Sequence, residues 1–223
     1  MSALNTSFSW EEFLRIVIES LSSKFMAEMQ ERREATGSVP HTLGKVDAAA
    51  LYALVRIAKP RRVLETGTFR GMSAAFILQA LHDAKVPDFK VTSIDRCSGD
   101  DVGILVPEHL RSHLELLTGE IGQMIREEGA IPGEIDFFFH DSSHRYDHQL
   151  WEFNTFWPRI VDGGYLVSHD VNMNSSFAEF LAKTYSHTDG KTDWAKSGHS
   201  DWGRFGMVGF IRKSRDSPIC HGT

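Results

Sequence analysis

Between an apolar run and a helical pattern, the chain reads Val63-Leu64-Glu65-Thr66-Gly67-Thr68-Phe69-Arg70-Gly71-Met72-Ser73. Gly67 and Gly71 allow positive φ and a close approach of ligand to backbone. The helix that opens near Met72 offers unpaired N–H groups and the positive end of its dipole. A dinucleotide turn would be spaced G-x-G-x-x-G, so that a pyrophosphate rests on those amides. Here the spacing is E-x-G-x-x-x-G, with Glu65 pointing where the pyrophosphate would lie. A carboxylate in that place repels phosphate and suits a cation, such as the ammonium of an amino acid.

Other residues with chemical reach fall at the ends of later apolar runs. Asp95 closes Val91-Thr92-Ser93-Ile94, where an acidic side chain can accept both hydroxyls of a ribose. Gly119-Glu120-Ile121 follows a third run. His140-Asp141-Ser142-Ser143-His144-Arg145-Tyr146 closes a fourth, and Ser168-His169-Asp170-Val171 a fifth. His140 and His144 have the H-x-x-x-H spacing of a zinc peptidase, but that chemistry needs both on one helix face, and these leave a strand into a loop. Ser168-His169-Asp170 looks like a hydrolytic triad written in a row. Successive strand residues point to opposite faces, so the three cannot chain together. His109 and His113, four apart, read as a solvated helix face.

The elements that must position these residues follow from periodicity. Ser9 and Glu12 form a capping box ahead of an amphipathic helix whose face is Trp10, Leu14, Val17, Ile18, Leu21, Phe25 and Met29. Gly37-Ser38-Val39-Pro40 breaks it, and a second helix is expected over 46–58. Strands are then expected at 63–65, 91–95, 116–118, 135–140 and 165–169, the last entered through a Gly163-Gly164 turn. Helices are expected at 72–81, 107–113, 121–128, 148–156 and 176–183. Such alternation means a parallel sheet with right-handed crossovers and helices on both faces. Two strand-like segments, about 188–194 and 205–211, suit an antiparallel hairpin on the sheet edge. Ligands bind such sheets outside the carboxyl ends of the strands, where the chemistry-bearing residues above all lie.

Length and composition agree. At 223 residues, 41% hydrophobic and 24% charged, the chain suits one domain with an accessory helical region over 1–45 and a core over 46–223. A net charge of −6 argues against a nucleic-acid partner. No apolar run approaches the roughly 20 residues that cross a bilayer, and the first ten residues lack a signal-peptide pattern. Cys97 and Cys220 make neither a metal spacing nor a disulfide framework, so a cytoplasmic protein is expected.

The E-x-G-x-x-x-G turn resembles motif I of the class I S-adenosylmethionine (SAM) methyltransferases, whose loop holds the methionine end of SAM. The pair I-D-F-F-F-H-D-S-S-H-R-Y and G-G-Y-L-V-S-H-D-V is similar to the D-x-x-H-x-Y and H-D or D-D motifs of small-molecule O-methyltransferases of the natural-product and catechol type. With Asp95, the resemblance spans about residues 61–171. It implies an α/β, Rossmann-like sheet of seven mainly parallel strands, with an antiparallel terminal hairpin and accessory N-terminal helices. The implied reaction is methyl transfer from SAM to a small-molecule hydroxyl. Glu65, Gly67, Thr68, Gly71, Ser73, Asp95, Arg96, Gly119, Glu120 and Asp141 are the implied SAM site, with Gly119 and Glu120 along adenine.

The same resemblance implies that Asp141, His144 and His169 are catalytic. Related enzymes either hold Mg²⁺ at the ends of strands four and five or use a histidine or carboxylate as base. Asp141, Asp170 and His169 take the metal places, for Mg²⁺ or another divalent ion, with His169 where metal-dependent members usually have an acid. Without a metal, His144 is the leading base. N-terminal helices in such enzymes cover the pocket or pair two chains into a homodimer. Two other classes are a non-catalytic SAM-fold partner protein and an NAD-dependent oxidoreductase. The intact Glu65, Gly67, Gly71 and Asp95 set argues against the first, and the glycine spacing against the second.

Overall fold

The computed structural model describes residues 8–37, 43–127, 129–184 and 202–213. Three helices, α1 (Trp10–Leu21), α2 (Lys24–Ala35) and α3 (Lys45–Ala58), precede the alternating part. That part runs β1 (Arg62–Thr66), α4 (Met72–Asp83), β2 (Lys90–Asp95), a 3₁₀ turn (Glu108–His113), β3 (Leu114–Thr118), α5 (Ile121–Met124), β4 (Ile135–His140) and α6 (Tyr146–Phe156). A short 3₁₀ turn (Trp157–Arg159) leads into β5 (Ile160–Ser168), α7 (Ser176–Thr184), β6 (Trp202–Phe205) and β7 (Val208–Arg212). The strands form one sheet in the order β3-β2-β1-β4-β5-β7-β6. β1 to β5 pair in parallel, and β7 is antiparallel to both neighbours.

Period-two alternation divides the apolar residues between two cores. Val63, Val91, Phe137, Phe139, Val167 and Phe210 face α1, α3 and α4. Leu64, Ile94, Phe138, Leu166 and Ile211 face α6 and α7. β4 is buried along its whole length, which is why a run of three phenylalanines belongs there. No helix among the described residues is long and apolar enough to cross a membrane.

Four details depart from the expected elements. The N-terminal helix is two helices, because Ser22 turns its hydroxyl back on Ile18 O and Ser23 caps the next helix by accepting from Met26 N. The buried face of α1 is Phe13, Ile16, Val17 and Ser20, while Leu14, Ile18 and Leu21 lie outside at 42%, 67% and 39% exposure. β5 begins before Gly163-Gly164, which sit inside the strand at a register shift opposite Ile135–Phe137 rather than in a turn before it. The hairpin closes within 202–212, and the expected strand near 188–194 lies outside the described residues.

The revised face of α1 gives opposite expectations for neighbouring positions. Phe13→Ala should cost about 3 kcal/mol, the lower end for emptying a phenylalanine site. Ile18→Ser, measured at a dilution where the chain is monomeric, should stay within about 0.5 kcal/mol. Urea unfolding at one protein concentration checks both, and equal losses would restore the face expected from periodicity.

Candidate active site

Each chemistry-bearing segment emerges at the carboxyl end of a parallel strand. After β1 the chain turns at Gly67, whose φ is +92°. A Cβ there would stand 2.2 Å from the Asp141 carbonyl oxygen, so only glycine lets the β1 and β4 loops pass this closely. Gly71 then caps α4.

Glu65 is fully buried below this turn. Its Oε2 accepts from the Ser93 hydroxyl, which also shares a 2.6 Å hydrogen bond with Thr68 Oγ1, while Oε1 has no hydrogen-bond partner. Burial pushes the Glu65 carboxyl up to about 7; Ser73 and Ser93 oppose that rise, and the charges of Asp141 and Asp95 add to it. Asp95 is held differently. Its Oδ2 accepts from Phe69 N at 2.7 Å and its Oδ1 from Cys97 N at 2.8 Å, so two backbone amides fix the carboxylate.

A cavity of about 750 Å³ opens over these strand ends, within the range of small-ligand sites. Of the residues expected at the cofactor, Gly67, Ser73, Asp95, Arg96, Gly119, Glu120 and Asp141 line it, and His144 joins them. Glu65, Thr68 and Gly71 do not; they lie behind the wall and shape the turn. Leu43, Phe69, Met72, Ser142, His148 and Glu152 line the cavity without having been expected there. His148 and Glu152 carried a readable signal, since a helix brings i and i+4 side chains together.

Glu152 organises that wall. Its buried carboxylate accepts from Thr66 Oγ1 (2.6 Å) and Ser142 Oγ (2.8 Å), and lies 2.8 Å from both His140 Nδ1 and His148 Nε2. Burial alone would raise its pKa, but the His140 charge and the bonds from His140, His148 and Thr66 hold it well below the carboxylate range. The same contact raises the pKa of His148.

At the ends of β4 and β5 the structure brings Asp141, His144 and Asp170 together, each with a ligand atom within 4.8 Å of the others. His144 Nε2 lies 3.1 Å from Asp170 Oδ2. Two carboxylates and one imidazole suit a hard or borderline divalent ion such as Mg²⁺ or Mn²⁺. His169, expected among the catalytic and metal-binding residues, stands behind this group. Its Nδ1 is 3.1 Å from Asp141 Oδ1 and 3.5 Å from Asp170 Oδ2, and its Nε2 is 3.6 Å from Asp47 Oδ2, an ion-pair distance too long for a hydrogen bond. Burial lowers the His169 pKa, but Asp141, Asp47 and Asp170 outweigh it and push it up to about 10. Both ring nitrogens thus face carboxylates, and His169 is not among the residues lining the cavity.

Known proteins share this fold. The family described as a methyltransferase domain (Methyltransf_24) matches residues 64–171. No curated protein sequence matches the chain. Among solved structures, the O-methyltransferase TomG of Streptomyces achromogenes, involved in tomaymycin synthesis and holding SAM, is 15% identical with a TM-score of 0.59, over 96% of this chain and 100% of TomG. The SAH-bound methyltransferase PaMTH1 of Podospora anserina gives the same identity, coverage and TM-score. An O-methyltransferase of Bacillus cereus in complex with SAH is 17% identical with a TM-score of 0.57, over 79% of this chain and 77% of that one.

The Glu152 cluster yields a pH-dependent expectation. Its lowered pKa contributes stability that is fully present above the unfolded carboxylate value of about 4.3 and is lost as pH falls through the folded value. The raised His148 pKa contributes stability present below about 6.5 and lost as pH rises through the folded value. Glu152→Gln should therefore cost about 3 kcal/mol at pH 7, as for one partner removed from a buried pair. Urea melts should show that gap narrowing below pH 4; a gap constant with pH would mean the carboxylate's charge plays no part.

Proposed function

We propose that this chain, a class I methyltransferase by its domain and its fold, moves the methyl group of SAM to a hydroxyl oxygen of a small-molecule acceptor. One observation carries the reading. One cavity is lined by an Asp95 carboxylate fixed by two amides, the Gly67 turn, and Asp141 and His144, which Asp170 joins in a cluster behind the wall.

SAM supplies a methyl group on a sulfonium that leaves readily, so the protein's task is alignment and proton removal. Asp95 accepts the ribose hydroxyls without having to reorient, and Gly119 and Glu120 lie along adenine. Ser73, Arg96 and the Gly67 turn border the methionine end, with Glu65 adding negative potential from below. Asp170 occupies Nε2 of His144 and orients the ring. The reading rests on His144 lining the cavity, where its imidazole can take the acceptor proton. Asp141, His144 and Asp170 are also the residues that would hold a divalent ion, which would lower the hydroxyl pKa. His169 supplies fixed positive charge among the carboxylates.

SAM at 100 times its Kd should stabilise the protein by about 2.7 kcal/mol in a thermal melt, and NAD should not. Asp95→Ala should weaken SAM binding by about 1.5–3 kcal/mol, the range for hydrogen bonds to charged groups; unchanged calorimetry would remove Asp95 from the site. The acceptor can be sought by incubating protein and SAM with a metabolite extract and following the mass gain of one CH₂. On that acceptor, His144→Ala should slow turnover by about 10²–10⁴-fold. EDTA should lower turnover and Mg²⁺ or Mn²⁺ restore it, whereas full activity in EDTA would leave proton removal to His144 alone.

The outward stripe of Leu14, Ile18 and Leu21 on α1 supports pairing of two chains through their N-terminal helices. Sedimentation should then give a dimer that Ile18→Glu converts to monomer; a wild-type monomer would remove this part of the reading.

A further inference from the structure

Asp47 is a buried charge that the proposed chemistry leaves without a role. It sits in the first turn of α3, far in sequence from the motif residues. Its Oδ1 accepts from Met207 N at 2.9 Å, and its Oδ2 lies 3.6 Å from His169 Nε2. Beyond that ring come Asp141 and Asp170, at 3.1 and 3.5 Å from Nδ1, and then His144, 3.1 Å from Asp170. Carboxylates and imidazoles thus alternate from α3 to the cavity wall.

An aspartate in a first helical turn has an ordinary explanation in the helix dipole. The dipole accounts neither for its burial nor for the turn built around it. Gly206 has a φ of +61°, and a Cβ there would stand 2.5 Å from Asp47 Oδ1. Val171 N donates to Met207 O at 3.2 Å, so the same turn also holds the loop that carries Asp170.

We propose that Asp47 is a positioning residue for the acceptor side of the site. By holding the His169 ring from behind, it fixes how Asp141 and Asp170 present their oxygens and, through Asp170, how His144 is turned. A ring gripped on both edges by carboxylates cannot swing, whereas one gripped on a single edge can. The inference rests on the proposed function only for its kinetic readout.

Asp47→Asn separates this role from a structural one, because the amide keeps an oxygen for Met207 N and removes only the charge facing His169. Asp47→Ala removes both, and Asp47→Ser gives a third reading should the amide not fit. The full chain with bound SAH is compared at one pH by melting temperature, SAH affinity and long-range ¹H–¹⁵N spectra of the histidine rings. Asp47→Asn should keep SAH affinity and lower the melting temperature less than Asp47→Ala, yet shift the ring signals of His169 and of His144, which Asp47 does not touch. With an acceptor in hand, kcat should fall by roughly 10–100-fold, as for other groups that orient active-site residues from outside, while the KM for SAM holds. His144 signals that coincide with wild type would overturn the proposal, and so would shifted signals with an unchanged kcat. If the protein methylates no hydroxyl, the proposed function fails while the ring spectra still decide on Asp47.

Discussion

The site depends on a hydrogen-bond ladder that continues past the ends of the strands. Gly119 N donates to Asp95 O at 2.9 Å, Gly67 N to Ile94 O at 2.8 Å, Asp141 N to Thr66 O at 2.9 Å, and His169 N to His140 O at 3.0 Å. In each case the loop leaving one strand is pinned by an early amide to the strand beside it. The parallel register therefore fixes Asp95, Gly67, Asp141 and His169 relative to one another before any side chain makes contact. Parallel pairing also places all these ends at one edge of the sheet, where a ligand meets them together. The close passage of Gly67 over the Asp141 carbonyl is a consequence: with the two loops pinned to adjacent strands, no space remains between them for a Cβ.

That geometry concentrates carboxylates, and the protein balances them with amides, hydroxyls and imidazoles. Asp95 takes two backbone amides, Glu152 takes two hydroxyls and two histidines, and His169 is shared among Asp141, Asp170 and Asp47. Glu65 is the least compensated: burial above all, with the charges of Asp141 and Asp95 adding to it, brings its pKa to about 7, and one of its oxygens has no hydrogen-bond partner. A cation above the Gly67 turn favours the charged form of Glu65. The electrostatics thus agree with a ligand carrying an ammonium and a sulfonium, and disagree with a pyrophosphate.

Much of this was legible in the sequence, for local reasons. An acid or glycine at the end of an apolar run is visible within a few residues, so Glu65, Gly67, Asp95, Asp141 and Asp170 were found together with the strands that carry them. The alternation of the strands announced the parallel sheet. What stayed hidden depends on contacts between distant segments. His169 is met by Asp141 on one edge and Asp47 on the other, and Glu152 by Thr66 and His140, contacts that periodicity does not reveal. The face of α1 was misread because Leu14, Ile18 and Leu21 are as apolar as the residues that are buried. The two serines that divide the first helix look like ordinary helix-surface residues until their hydroxyls turn back on the backbone. Gly163-Gly164 carries the signal of a turn, yet it serves a register shift within β5.

The same division explains why the fold persists at about 15% identity to solved methyltransferases. The ladder requires only apolar strands, a glycine at the first turn and acids at a few ends, and many sequences meet that demand. On the proposed reading, the acceptor side is instead supported by α3, the loop after β5 and the β6–β7 turn. These segments are distant in sequence and meet at Asp47, His169 and Met207. Substitutions there leave the parallel register of β1 to β5 undisturbed. A buried charge such as Asp47 is the element such changes cannot ignore, because His169 would keep its own charge and lose one of the three groups that balance it.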